Sequence, residues 1–433
     1  VKPDLAGNYE ATVVTTPWFF NADIKPTNVA FVIPLTTLNN HLANGEIKNQ
    51  ARDLAEAQRL TNLILNNSDS KISWLQDSAL GGWVSQLTES ADSDVSIKLG
   101  SAIDELKPAG FLPFGSADLA ALSVADQQRD LSDAIEFTRV IVGEQPVFYA
   151  PTQGAADSKT VSLLSSQGIR TIVSNEFLRG NARVTTPAVA TSDSNPVLVH
   201  DLGASNCLTS ANRDDASFFK AITCLKSEIG MMTTESPQNS RNVLVLTPST
   251  WKISNERLSA LVSVLSNQSW MQLTTLDLVV AAAPAENFVA SQSADSRDFS
   301  RALLRQAKNL KVNTESVSAL YSDQGLASGF TASRVFGYSD LWPSNARATE
   351  YLTKNISLLN EYLSAVSIQA SERITTPEES SEIPITIVNE SDKSVSVSVA
   401  LTSDATSRFT AEPSGVIVVD SGQRITVPIA IIL

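Results

Sequence analysis

A chain of 433 residues, 42% of them hydrophobic, can bury a large core, and 46 acidic against 32 basic side chains give it an acidic surface. The net charge of -14, uninterrupted by any lysine or arginine stripe, argues against nucleic acid and against an anionic membrane surface as partners. No apolar run reaches the roughly 18 residues that a membrane-spanning helix needs.

Residues 1–26 read as an N-terminal arm: a strand-like piece, Tyr9-Glu10-Ala11-Thr12-Val13-Val14-Thr15, precedes Pro17, Trp18 and Pro26. Seven short apolar runs follow, at 29–34, 71–75, 110–113, 146–150, 170–173, 196–200 and 242–246, each succeeded by a helix-like stretch. Apolar runs of this length alternating with helices are the pattern of a parallel sheet buried on both faces. Residues 27–283 are therefore predicted to form a (β/α) barrel of seven or eight strands, the eighth candidate being 271–276. Helices are predicted at 49–66, 131–141, 157–167 and 255–266 from their apolar spacing. Residues 284–370 carry two helical stripes, Phe299, Leu303, Leu304, Ala307 and Leu310, then Leu352, Ile356, Leu359, Tyr362 and Leu363. They are expected to form a helical extension packed on the barrel. Residues 371–433 switch to a period of two, with turns at Asn389-Glu390-Ser391-Asp392 and Asp420-Ser421-Gly422, which predicts an antiparallel, immunoglobulin-like β-sandwich. The ends, Val1-Lys2-Pro3 and Ile429-Ala430-Ile431-Ile432-Leu433, read as boundaries within a longer chain. Membrane attachment is expected only through segments outside it.

Several motifs resemble an uncharacterised family of actinobacterial cell-envelope proteins. They are Ile33-Pro34-Leu35-Thr36-Thr37-Leu38, Ala43-Asn44-Gly45-Glu46, Arg59-Leu60 and Ile72-Ser73-Trp74-Leu75-Gln76-Asp77-Ser78-Ala79-Leu80. Leu112-Pro113-Phe114-Gly115-Ser116-Ala117-Asp118-Leu119-Ala120-Ala121-Leu122 and Tyr149-Ala150-Pro151-Thr152-Gln153-Gly154-Ala155-Ala156-Asp157 extend the likeness, which covers about residues 27–430. The resemblance implies a glycoside hydrolase/deacetylase-type barrel with a trailing β-domain, secreted or membrane-anchored, in cell-wall (peptidoglycan) biogenesis. It implies no established activity.

Chemistry in a barrel gathers where the strands end. Polysaccharide deacetylases of this barrel class hold zinc with an Asp and two His. Here only His41 and His200 exist, far apart, so neither a metal nor a cofactor is expected. Neither phosphate-binding glycine motif nor a Gly-x-Ser-x-Gly elbow occurs, so no nucleotide partner and no serine nucleophile are expected. Carboxylates at strand ends are Asp77, Asp118, Glu176 and Asp201. Asp77, Asp118 and Asp201 are the catalytic candidates if the barrel is active, yet an aspartate just before a helix also serves as its cap. The ligand-binding candidates are Asp77, Asp118, Glu176, His200 and Trp251, with Trp83, Phe114 and Tyr149 as further rings near the rim. Cys207 and Cys224 are expected to form a disulfide in an oxidising compartment, the alternative being two reduced, partly buried thiols.

Two functions fit these residues. The first is a non-catalytic extracytoplasmic envelope protein whose barrel rim binds a glycan or a protein partner. The second is a metal-independent glycoside hydrolase acting on an envelope glycan through a carboxylate pair. Carboxyls about 5–9.5 Å apart in an open cleft would mark the hydrolase. A rim filled by its own loops would mark the first.

Overall fold

The computed structural model describes residues 23–37, 42–44, 46, 49–68, 70–91, 93–125, 127–151, 154–179, 187–192, 194–282, 289–290, 298–321, 323–370, 380–402 and 410–432. The strand expected at 9–15, most of the arm, and His41 lie outside these residues. Two compact units emerge, the first comprising 1–40, 47–299 and 338–342, the second 41–46, 300–337 and 343–433.

In the first unit, among the described residues, seven parallel strands close a ring. They are β1 (Thr27–Leu35), β2 (Ser73–Asp77), β3 (Gly110–Leu112), β4 (Val147–Tyr149), β5 (Ile169–Ser174), β6 (Asn195–His200) and β7 (Asn242–Leu246). Each pairs with the next, and β7 returns to β1 in the register Asn28↔Asn242 to Val32↔Leu246. Closure leaves the ring without an open edge.

The eighth run does form a strand, Met271–Thr274, but outside the ring. It pairs with the first half of β1, Thr27↔Met271 to Ala30↔Thr274, while β2 takes the second half, Val32↔Ser73 to Leu35↔Gln76. Because β7 occupies the opposite edge, the two short strands share one side of β1, and the ring counts seven.

Alternation along each strand sorts the apolar residues into two layers. Val29, Phe31, Ile33 and Leu35 of β1 join Trp74 and the helical Leu60, Leu63, Ile64 and Trp83 in one buried cluster between ring and helices. Ala30 and Val32, with Leu75, Leu112, Phe148, Ile172, Leu198 and Leu244, form the interior cluster, so each of the seven strands fills the barrel. The four predicted helices occur at Gln50–Leu65, Gln128–Val142, Ser158–Ser166 and Asn255–Ser266. Three begin on side-chain caps: Asn49, Asp157 and Ser254 accept from the backbone N–H of Arg52, Thr160 and Arg257.

In the second unit, helices Arg301–Leu320, Gln324–Gly337 and Asn345–Ser364 bury Leu303, Ala307, Leu310, Val317, Leu352 and Leu359. A Cβ on Gly337 would stand 2.5 Å from a Leu352 methyl, so glycine permits that approach. Strands Val366–Gln369, Ser380–Asn389, Arg424–Ile432 and Thr410–Ala411 make a four-stranded antiparallel sheet, and Val395–Val397 pairs with Ile417–Val419. The boundary drawn at 370 falls inside this unit, which groups the helices with the strands. A helical stripe announces a buried face without naming what covers it.

Candidate functional site

The residue two beyond a strand's last inward-facing core position lies on the same side, toward the barrel mouth. Leu198 is followed in this way by His200, Leu244 by Leu246 and Phe148 by Ala150. These three residues line a cavity of about 250 Å³ together with Ser205, Thr247, Asp340 and their neighbours. The cavity thus opens beyond the ends of β4, β6 and β7, where a barrel presents ligand sites.

His200 is 7% exposed and its Nδ1 lies 3.1 Å from Ser205 Oγ. The Leu246 backbone N–H donates to the same Oγ at 3.1 Å. The Ser205 hydroxyl thus bridges the imidazole and the end of β7. Burial pushes the imidazole down to about 4, opposed by the Asp201 backbone, so the ring is neutral at physiological pH.

Gly154 shapes the approach to that ring. Its φ of 69° lies in the left-handed region, and an added Cβ would stand 2.6 Å from Ser174 Cβ and 3.3 Å from His200 Nε2. Gly154→Ala is expected to cost roughly 1–3 kcal/mol through backbone strain and overpacking. It should also shift the His200 imidazole resonances. Thermal melts and NMR check both, and an unchanged imidazole spectrum would contradict the contact.

Three of the four strand-end carboxylates, Asp77, Asp118 and Asp201, are engaged by protein donors. Asp77 is 2% exposed, and its Oδ1 accepts from the N–H of Ala79 and of Gly115, each at 2.9 Å, while Oδ2 accepts from the Ser116 hydroxyl at 3.1 Å. Burial raises its carboxyl to about 7 against the pull of those three donors. Asp118 caps the helix Leu119–Val124, accepting from Ala121 N–H at 2.9 Å, and takes the Tyr149 hydroxyl proton at 2.9 Å. Asp201 caps the helix Leu202–Asn206 by accepting from Ala204 N–H at 2.8 Å, and its other oxygen accepts from Asn175 Nδ2 at 2.8 Å. Its pKa rises with burial. Glu228 also approaches: a Cβ on Gly203 would lie 3.3 Å from both Asp201 Oδ1 and Glu228 Oε2. Burial, then the Asp201 charge, raises Glu228 as well. Glu176 is exposed on the turn Asn175–Phe177 after β5. Of the five ligand candidates, only His200 lines the cavity.

The aromatic candidates belong to the packing. Trp251 is 7% exposed, sits edge-on to Phe31 and donates its indole N–H to Leu208 O at 3.0 Å. Trp83 is fully buried in the outer cluster and Phe114 stacks edge-on against Phe137. Tyr149 is buried, with its hydroxyl accepting from Ala120 N–H at 2.9 Å. All four rings are buried in the protein rather than displayed at the surface.

A segment unseen in the sequence crosses the mouth. Residues 338–342 return from late in the chain: Ala117 and Ser339 form an antiparallel bridge, Asp118 N–H donates to Tyr338 O at 2.9 Å and Asp340 N–H to Ser116 O at 3.0 Å. Asp340 and Leu341 of this strap line the cavity. No short motif signals a strap tied more than 200 residues away. Among the described residues, no group of three or more His, Cys, Asp or Glu is placed to hold a metal ion. No helix there is long and apolar enough to cross a membrane. Cys207 and Cys224 are joined, their Cα atoms 5.5 Å apart.

A family model matches residues 4–432. The chain belongs to DUF6049, a family of unknown function. Curated proteins yield no match to the sequence. Among solved structures, the alpha-amylase AmyC from Thermotoga maritima is similar at 8% identity and a TM-score of 0.49, over 79% of this chain and 94% of that one. A 4-alpha-glucanotransferase from Thermococcus litoralis is similar at 12% identity and a TM-score of 0.40, over 86% of this chain and 64% of its own. An alpha-mannosidase from Enterococcus faecalis V583 is similar at 10% identity and a TM-score of 0.41, over 93% of this chain and 56% of its own. The chain spans less than two thirds of the last two.

Proposed function

We propose that this chain is a non-catalytic, extracytoplasmic cell-envelope protein whose barrel rim binds a glycan in the His200 cavity. The observation that carries the non-catalytic part is the fate of the rim carboxylates: Asp77, Asp118 and Asp201 each accept at least two hydrogen bonds from named protein donors. Glycosidic cleavage needs one carboxyl to protonate the leaving oxygen and a second to face the sugar or a water. Groups held as helix caps and turn anchors cannot take those positions without unmaking the rim. The strap over the mouth supports the same conclusion. The neutral His200, with hydroxyls around it, supplies donors and acceptors suited to sugar hydroxyls.

The extracytoplasmic placement is supported by the Cys207–Cys224 bridge, since disulfides persist in oxidising compartments. The cell-envelope role is supported by the motif resemblance around residues 33–38, 72–80 and 112–122.

The test is to incubate the chain with cell-envelope glycan fragments while following binding by saturation-transfer NMR and cleavage by the release of reducing ends. Binding without cleavage is expected, and His200→Ala should weaken it by about tenfold, the worth of one good hydrogen-bonding group. Cleavage abolished by Asp201→Asn would instead establish the hydrolase alternative.

A further inference from the structure

We propose that the His200 cavity accepts a single uncharged sugar ring and rejects the corresponding sugar acid, an inference that rests on the glycan-binding reading above. The volume sets the first half of the claim. About 250 Å³ lies below the range of roughly 300–1,000 Å³ typical of pockets for drug-sized ligands, so the space suits one ring rather than an oligosaccharide.

The lining sets the second half. Among the described residues, no lysine or arginine borders the cavity, and the ionisable side chains that line it are His200 and Asp340. A carboxylate or phosphate brought here would lose its water and meet no cation in return, which makes burying it costly. Hydroxyl groups meet the opposite situation. The neutral His200 ring and the side chains of Ser249, Thr250 and Asn206 offer groups that give and accept hydrogen bonds. Pro151, Leu246 and Leu341 supply an apolar surface for the C–H face of a ring.

One side chain points to a ligand on its own. Thr247 is 2% exposed, borders the cavity, and its Oγ1 has no hydrogen-bond partner among the described residues. Its backbone N–H is bound to Val32 O at 3.0 Å, which fixes the residue at the end of β7. A buried hydroxyl left unpaired is unfavourable, and a turn of the Thr247 side chain toward the cavity would let a sugar hydroxyl complete the missing bond.

The experiment titrates the whole chain at pH 7 with methyl glycosides of glucose, galactose, mannose and N-acetylglucosamine, and with glucuronic, galacturonic and mannuronic acids. Chemical shifts of the His200 imidazole report binding. At least one neutral ring should bind, with the sugar acids at least about tenfold weaker. Thr247→Val should weaken the neutral ring by about fivefold or more while leaving the melting temperature unchanged or higher, because it removes an unpaired buried hydroxyl. Thr250→Lys, at an exposed lining position, should turn the preference toward the acids. Acids that bind as tightly as the neutral rings would overturn this inference and leave the glycan reading standing. Should neither series move the imidazole, while larger glycan fragments bind elsewhere, the assignment of the cavity is overturned; failure of every glycan overturns the glycan reading itself.

Discussion

Replacing Asp77 by alanine is expected to strip several kcal/mol from the unfolding free energy, since it abandons three buried donors at roughly 1–3 kcal/mol each. The donors are the N–H groups of Ala79 and Gly115 and the hydroxyl of Ser116. The turn they hold is itself strained. Gly115 and Ser116 have φ of 60° and 50°, and for a serine that conformation persists only when its surroundings enforce it. Asp77→Asn should be far milder, because its side-chain oxygen can still accept from both N–H groups and its amide can donate to the Ser116 oxygen.

The two substitutions also separate charge from shape. With a carboxyl raised from 3.8 to about 7, the folded state binds a proton that the unfolded chain releases near pH 4. The associated stability is fully present below about pH 4 and is lost as pH rises through about 7, with a slope of up to about 1.4 kcal/mol per pH unit. The wild-type protein should therefore lose stability from pH 4 to 7 relative to the Asp77→Asn protein. Asp53, which burial raises to about 6, titrates in both and cancels in the difference. Urea unfolding at pH 4, 5, 6, 7 and 8 measures this, and parallel curves for the two proteins would show that Asp77 is ionised throughout.

The legible part of this fold is the part decided locally. Strands buried on both faces must be nearly continuous in apolar residues, so the seven ring strands stand out in the sequence, and polar caps such as Asn49, Asp157 and Ser254 mark where helices begin. The strand Met271–Thr274 has the same apolar appearance, yet it pairs with half an edge of β1. Pairing across more than 200 residues leaves no trace in a run of four.

The site divides in the same way. That Asp118 and Asp201 could be caps was visible from the helices that follow them, and capping is what they do. Asp77 could not be resolved from its neighbours, because Gly115 and Ser116 arrive from the next strand-to-helix loop. His200 was found because a histidine ending a strand is conspicuous. Ser205, Thr247 and Gly154, which give that histidine its setting, are ordinary residues in sequence and acquire meaning only when β5, β6 and β7 lie side by side. Trp251 shows the converse: its ring packs edge-on to Phe31 and its N–H is bound to Leu208 O, both distant in the chain.

Removing the Cys207–Cys224 bridge is expected to have an effect of similar size, but localised to one wall of the cavity. The bridge spans a sequence separation of 17, for which loop entropy predicts about 3 kcal/mol of stabilisation. Its two ends are held very differently. Cys224 lies on the helix Asp215–Glu235, which is fixed by Phe218, Ala221, Ile222, Leu225 and Ile229 in the outer cluster. Cys207 closes the short helix Leu202–Asn206, whose Leu202, Ser205 and Asn206, with Thr209 beyond, form the cavity wall. Helices this short are marginal by themselves. Without the bridge, that wall would keep its contacts with the outer cluster, the Asp201 cap, and the bonds of Leu202 N–H to Asn175 Oδ1, of Leu246 N–H to Ser205 Oγ and of Trp251 to Leu208 O. The double substitution Cys207→Ser, Cys224→Ser should thus lower stability by about 3 kcal/mol in urea. Hydrogen exchange should accelerate first in 202–211 while the amides of β7 stay protected, since local opening begins where packing is weakest. The His200 resonances should broaden with it, because Ser205 moves with the wall. Exchange that rises evenly over the whole barrel would mean that the bridge stabilises the fold as a unit and leaves the cavity wall to hold itself.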